Sequence, residues 1–213
     1  MTPAVQHAKS QSYSPVDEER LLPITLVKEY HWCPMIAYHK LLLWSERPTQ
    51  SMQAGGLTGE QRAELVKRLE EARVEAQELL WEQPVQSRRL GLAGRVDLVA
   101  VTPRETLVVV EAKLNVSRRG LHSRAQHILA QLAAYTIAAE ETLAMPSEKT
   151  LVYATETTRL IEVRITPRHR RLVEEAVREL WRILETGIPP WTRPRRSRCR
   201  ACSYRSVCPN TNA

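Results

Sequence analysis

The sequence predicts an α/β domain, and three observations lead there. Runs with apolar residues three and four apart alternate with shorter runs rich in valine, leucine and isoleucine. Turn-forming stretches such as Thr102-Pro103-Arg104-Glu105 separate the shorter runs. At 213 residues the chain can bury one sizeable core, so one domain with short terminal additions is expected.

Residues 1–20 mix Ser, Gln, Pro and charge without periodicity and read as a disordered leader, leaving 21–213 as the domain. From Ile24 to Trp44, Leu26, Tyr30, Cys33, Ala37 and Leu41 recur at helical spacing, and Pro34 suits the first position of a second helix. Gln50 to Gly59 reads as a loop. From Glu60, in a first turn, Val66, Leu69, Ala76 and Leu80 describe one long amphipathic helix. Three strands are expected at Val85–Leu92, Arg95–Val101 and Thr106–Leu114. Leu121 to Leu143 is helical, with Ala125, Ile128, Leu132 and Ala139 inward. Thr150–Thr155 and Leu160–Ile165 read as two further strands. Thr166-Pro167 then opens a helix through Leu172, Ala176, Leu180 and Leu184 that stops at Gly187. Pro189-Pro190 ends regular structure, and an arginine-rich segment, 191–209, follows.

The 31 Lys+Arg against 24 Asp+Glu leave a formal charge of +7, which favours a polyanionic partner through counterion release. Most of the cations are arginine, whose planar fork matches phosphate. No run of about eighteen apolar residues exists, and Met1 to Glu19 is polar, so no membrane partner is expected and the reading is cytoplasmic. Nothing explains the complete lack of phenylalanine.

Asp97 and Glu111 lie equidistant from Arg104, so a hairpin turning there sets them opposite each other on adjacent strands. Glu111 and Lys113 are two apart and share a face. Carboxylates so placed suit Mg²⁺ or Mn²⁺, and a cation beside a lysine suits phosphodiester hydrolysis. The plainer alternative leaves Asp97 on a strand surface and pairs Glu111 with Lys113. Against it stand Val108-Val109-Val110 and the apolar neighbours of Asp97, since charges on buried strands are costly unless paired or metal-bound. Gln131 and Tyr135, four apart on the following helix, stack on one face, where an amide can orient water and a hydroxyl can reach phosphate.

The only four cysteines stand at the ends: Cys33-Pro34 near the start, then Cys199-x-x-Cys202 and Cys208-Pro209. In a reducing compartment such a set binds metal rather than forming disulfides. Four thiolates fit tetrahedral zinc or a [4Fe-4S] cluster, and the one-plus-three split with Cys-Pro is closer to cluster ligation. The alternative is a zinc site made by the triplet with a histidine such as His169, leaving Cys33 to the core. A cluster joining residue 33 to residue 208 closes most of the chain into one loop, a structural rather than a redox role.

The order single Cys, Asp, Glu-x-Lys, Gln-x-x-x-Tyr and three clustered Cys resembles the CRISPR-associated Cas-four exonucleases, RecB-like members of the PD-(D/E)xK nucleases that carry an iron-sulfur staple. The likeness runs from Ile24 to Pro209, through Gly91-Leu-Ala-Gly-Arg-Val-Asp97, Val109-Val-Glu-Ala-Lys113, Gln131-Leu-Ala-Ala-Tyr135 and Cys199 to Cys208. The resemblance implies a restriction-endonuclease-like core, a central mixed sheet flanked by helices, with both ends of the chain joined by the cluster. It implies Mn²⁺ or Mg²⁺ on Asp97 and Glu111, catalysis by Lys113, substrate positioning by Gln131 and Tyr135, and a [4Fe-4S] cluster on Cys33, Cys199, Cys202 and Cys208. The expected activity is DNA exonuclease trimming of single-stranded ends, processing prespacers alongside CRISPR integrase subunits. One departure stands out: the family's Gly-x-x-x-His is Gly56-Leu-Thr-Gly-Glu60 here, so Glu60 takes the place of a histidine metal ligand. That motivates a second reading, an iron-sulfur DNA-binding subunit that cuts weakly or not at all. A related iron-staple nuclease of DNA repair or of a phage is the third.

Overall fold

The computed structural model describes residues 21–43, 56–193, 196–200 and 202–212. The expected leader over 1–20 and most of the expected loop over 50–59 lie outside these residues. The elements are β1 (Leu22–Pro23), α1 (Thr25–Trp32), α2 (Pro34–Leu43), α3 (Gly59–Glu71), β2 (Glu78–Ser87), β3 (Leu92–Val101) and β4 (Leu107–Lys113). After them come α4 (Arg118–Arg124), α5 (Gln126–Leu143), β5 (Ser147–Ala154), β6 (Arg159–Glu162), α6 (Pro167–Thr186) and α7 (Arg196–Arg200). A 3₁₀ turn, Pro209–Asn212, ends the described chain.

The six strands form one mixed sheet, ordered β1-β3-β4-β5-β6, with β2 alongside β3. β2 runs antiparallel along the whole of one edge of β3, from Ser87 opposite Leu92 to Glu78 opposite Val101. The other edge of β3 is shared: β1 pairs in parallel with Leu92 and Ala93, and β4 pairs antiparallel from Leu98 to Val101. β4 and β5 are parallel, which requires the long crossover that α4 and α5 provide. Two helical layers cover the sheet. Leu65 and Leu69 of α3 pack on Leu98, Ala100, Val108 and Val110 from one face. From the other, α1, α2, α5 and α6 pack on Val96, Val99, Leu107 and Val109.

The long helix expected from Glu60 to Leu80 is corrected: it stops at Glu71, Ala76 is exposed, and Leu80 is a residue of β2. Arg73 adopts the left-handed conformation (φ 54°), Val74 N–H donates to Leu69 O, and Arg73 N–H donates to Glu70 O. This is a Schellman stop whose apolar contact joins the buried Leu69 and Val74, built without the usual glycine. The helix expected over Leu121–Leu143 is likewise interrupted, since Ala125 (φ −106°, ψ 38°) separates α4 from α5. The strand expected over Leu160–Ile165 runs instead from Arg159 to Glu162, with one further bond to β5 from Val163 N–H to Thr150 O, and β5 begins earlier than expected, at Ser147.

In α5 every residue from Leu129 to Ala139 is buried. Its alanines, with no side chain to hold neighbours away, let α1, α6 and the sheet close around it. A polar pair at its centre is satisfied locally: Thr136 donates to Leu132 O at 2.9 Å and shares a hydroxyl bond with Thr150 at 2.9 Å. α6 starts at the Thr166 cap with Pro167 in its first turn and ends at Gly187 (φ 66°), as its sequence predicts. No helix among the described residues is long and apolar enough to cross a membrane.

Candidate active site

The β3–β4 ladder pairs Leu98 with Val110, Val99 with Val109 and Ala100 with Val108, the register predicted from the turn at Arg104. Carried one residue further, that register sets Asp97 opposite Glu111, but the ladder stops at Leu98 and Val110 although both strands run on. In the opening, the Ala112 N–H that would have joined the ladder donates to Asp97 Oδ2 at 2.6 Å. The carboxylate thus replaces a strand partner, which fixes its orientation. Alternation along β3 is reset at the same point, since Val96 packs with the α5 layer while Leu98 packs with the α3 layer. Opposite Asp97 on β2, between the paired residues Trp81 and Gln83, Glu82 stands in the left-handed region (φ 49°).

Glu111 is buried, and its Oε1 accepts from Lys113 Nζ at 2.8 Å. Among the described residues its Oε2 is buried without a hydrogen-bond partner. Burial above all, then the Asp97 charge, pushes the Glu111 carboxyl up to about 7 against the pull of Lys113. Burial also raises Asp97, opposed chiefly by the Ala112 N–H. A buried carboxylate oxygen with no donor, beside a second carboxylate, offers the oxygen ligands a hard divalent cation takes.

Gln131 and Tyr135 reach this opening from α5, and both are buried. Tyr135 lies against Gly94, where an added Cβ would stand 3.0 Å from the ring and 3.2 Å from Ile24. A side chain at 94 would push the tyrosine away. Burial raises the Tyr135 hydroxyl, as do the Glu111 and Asp97 charges, while a hydrogen bond with Gln131 opposes them. Gln131 Oε1 is another buried oxygen without a hydrogen-bond partner among the described residues.

Asp97, Glu111, Lys113, Gln131 and Tyr135 therefore gather at one place. Glu60 does not join them: it is exposed in the first turn of α3. Among the described residues no three His, Cys, Asp or Glu side chains converge into a group that could hold a metal ion. Sequence reasoning missed Lys28 of α1, which is half-buried and lowered by burial and then by the charge of Lys113. A lone lysine on an amphipathic helix carries no signal of that neighbour.

The cysteines stand elsewhere on the molecule, and all four are half-buried. Cys33 caps α1, donating its N–H to Glu29 O, and its carbonyl accepts from Ile36 N–H. Two contacts dock the C-terminal segment beside it. The Arg198 guanidinium lies 4.0 Å over the Trp32 ring and donates to the Trp32 carbonyl, and Tyr204 stacks on His39 at 5.1 Å. Cys33, Cys199 and Cys208 line one cavity of about 330 Å³, and Cys202 lines a neighbouring one that shares Cys208. Burial pushes the Cys202 thiol up, and the Cys33, Cys208 and Cys199 thiols add to it. His169, the alternative fourth ligand, caps α6 instead, its Nδ1 accepting from Thr166 N–H at 3.2 Å.

Comparison with known proteins agrees with this architecture. The PD-(D/E)XK nuclease superfamily matches residues 31–209. A CRISPR-associated exonuclease Cas4 of Aeropyrum pernix is 35% identical over 189 residues, 87% of this chain and 94% of that protein. A CRISPR-associated exonuclease Cas4 of Thermoproteus tenax is 28% identical over 86% of this chain and 91% of that one. A solved protein of Eubacterium rectale, described provisionally as an exonuclease, shares the fold with a TM-score of 0.54 at 13% identity, covering 89% of this chain and 88% of that one. With the match spanning most of the chain, this protein belongs to the PD-(D/E)XK nuclease superfamily and, within it, to the CRISPR-associated Cas4 exonucleases.

Proposed function

We propose that this nuclease trims single-stranded DNA ends, processing prespacers for the CRISPR integrase, with Asp97 and Glu111 holding Mn²⁺ or Mg²⁺. The observation that carries the reading is the buried, partnerless Glu111 Oε2 in the opening where Asp97 replaces a strand. When bound, a divalent cation supplies Lewis-acid activation of water and neutralises charge on the scissile phosphate.

The chain's own residues do the rest. Asp97, held by the Ala112 N–H, and Glu111, held by Lys113, each keep their other oxygen for the cation. Lys113 carries its ammonium to the phosphate side of Glu111, where it orients water and substrate oxygen. The Gln131 amide and the Tyr135 hydroxyl position the DNA from α5. In this reading two carboxylates make the cation site and Glu60 stays outside it. The four cysteines hold a [4Fe-4S] cluster: their donor chemistry suits it, and Cys33, Cys199 and Cys208 already border one cavity. Its role is to tie the C-terminal segment to α1 and α2.

The test is cleavage of end-labelled single-stranded DNA with Mn²⁺ by anaerobically purified protein. Asp97→Ala and Lys113→Ala are each expected to lower the rate at least about a hundredfold with the circular dichroism spectrum unchanged. Wild-type cutting by both variants would move the active site elsewhere.

A further inference from the structure

Glu82 and Arg95 border the opening, and neither is used by the catalytic reading. Glu82 holds a conformation costly for a non-glycine residue, opposite Asp97, where the β2–β3 pairing is interrupted. Such irregularities in strand pairing next to active sites re-aim side chains. Here the Glu82 carboxylate is turned between two arginines. Its Oε1 meets Arg62 of α3 at 2.8 Å, and its Oε2 meets Arg95 at 3.7 Å. Arg62 is fixed in turn, donating to Leu57 O at 3.2 Å and lying over the Trp81 ring. Gly56 leaves room for the same carboxylate, since a Cβ there would collide with Glu82 Oε1. Glu82 is therefore held firmly on one side and touches Arg95 loosely on the other.

Arg95 lies two residues before Asp97 on β3, its side chain 68% exposed. Its charge reaches the Tyr135 hydroxyl in the opening. A loose, solvent-exposed ion pair contributes little stability, so the fork is free to engage a second anion at small cost. Arginine presents parallel N–H donors that match a phosphate.

We propose that Arg95 is a DNA-phosphate contact at the edge of the active site. This rests on the nuclease reading and adds a substrate-binding residue to it. It assigns Arg95 a role in holding the strand, not in the bond-breaking step.

The test measures binding of fluorescent single-stranded oligonucleotide by the full chain in EDTA across a salt series, beside cleavage with Mn²⁺. Arg95→Ala is expected to weaken binding several-fold and to reduce the salt slope by about one. KM rises while kcat at saturating DNA and the melting temperature stay near wild type. Arg95→Lys restores part of the affinity. Wild-type affinity and salt slope in Arg95→Ala would overturn the contact. Failure of the wild-type chain to cleave while its binding still responds to Arg95→Ala would remove the catalytic reading alone.

Discussion

Glu111→Gln replaces a buried carboxyl by an amide of the same shape, and the structure sets the size of its effect on the metal-free protein. Burial raises this carboxyl from its ordinary 4.5 to about 7. The folded state therefore binds the proton more tightly than the unfolded state. The stability tied to that proton is fully present below about 4.5 and is lost as pH climbs through about 7. A displacement of that size corresponds to about 3 kcal/mol between pH 4.5 and pH 8, a large part of the total stability of a typical domain. The amide cannot ionise, so Glu111→Gln is expected to unfold at higher urea than wild type at pH 8 in EDTA, and the gap should close toward pH 5. Adding Mn²⁺ should close most of that gap at pH 8. A cation at a hundred times its dissociation constant adds about 2.7 kcal/mol to a protein that binds it, and the amide lacks the charged oxygen. The assay is urea unfolding followed by circular dichroism at the two pH values, with and without metal. A wild-type protein that gains stability from pH 5 to pH 8 in EDTA, or a variant no more stable than wild type at pH 8, refutes the reasoning.

Restoring the family's histidine by Glu60→His is expected to leave cleavage rates in both Mn²⁺ and Mg²⁺ within about twofold, the scatter typical of surface changes, because Glu60 is exposed and stands outside the carboxylate group. A marked change in metal preference would bring residue 60 into the cation site. Cys33→Ser is expected to lower bound iron and to destabilise the protein by about 5 kcal/mol, the scale for opening a loop of a hundred or more residues. Iron content by colorimetry and the thermal midpoint check it, and full iron retention would exclude Cys33 as a ligand.

The hairpin of β3 and β4 is legible because a short turn fixes register, and register fixes which side chains face each other. Counting outward from Arg104 is enough to place Asp97 against Glu111. What counting does not give is the parting of the strands just there, since the Ala112 N–H is claimed by a side chain rather than by a backbone carbonyl. Residues 70–80 mislead for a local reason: Glu, Ala and Leu favour helix, and the signal that ends α3 is a left-handed arginine where glycine is the usual mark. The break at Ala125 is silent because alanine is the best helix former. Lys28, Glu82 and Arg95 look like ordinary surface charge in sequence. Their setting depends on partners brought together by the sheet, such as Arg62 and Asp97, which periodicity does not encode. The docking of Arg198 on Trp32 joins residues 166 apart in the chain and is equally invisible to a local pattern.

The wholly enclosed stretch of α5 limits how this enzyme can diversify. Gln131 and Tyr135 ride on the same beam that α1, α6 and the sheet clasp, so any shift that re-aims them must disturb the alanine contacts around it. Selection for a different DNA end, or a designer seeking one, is thereby steered away from the beam toward accessible positions such as Arg95, where change costs the scaffold little.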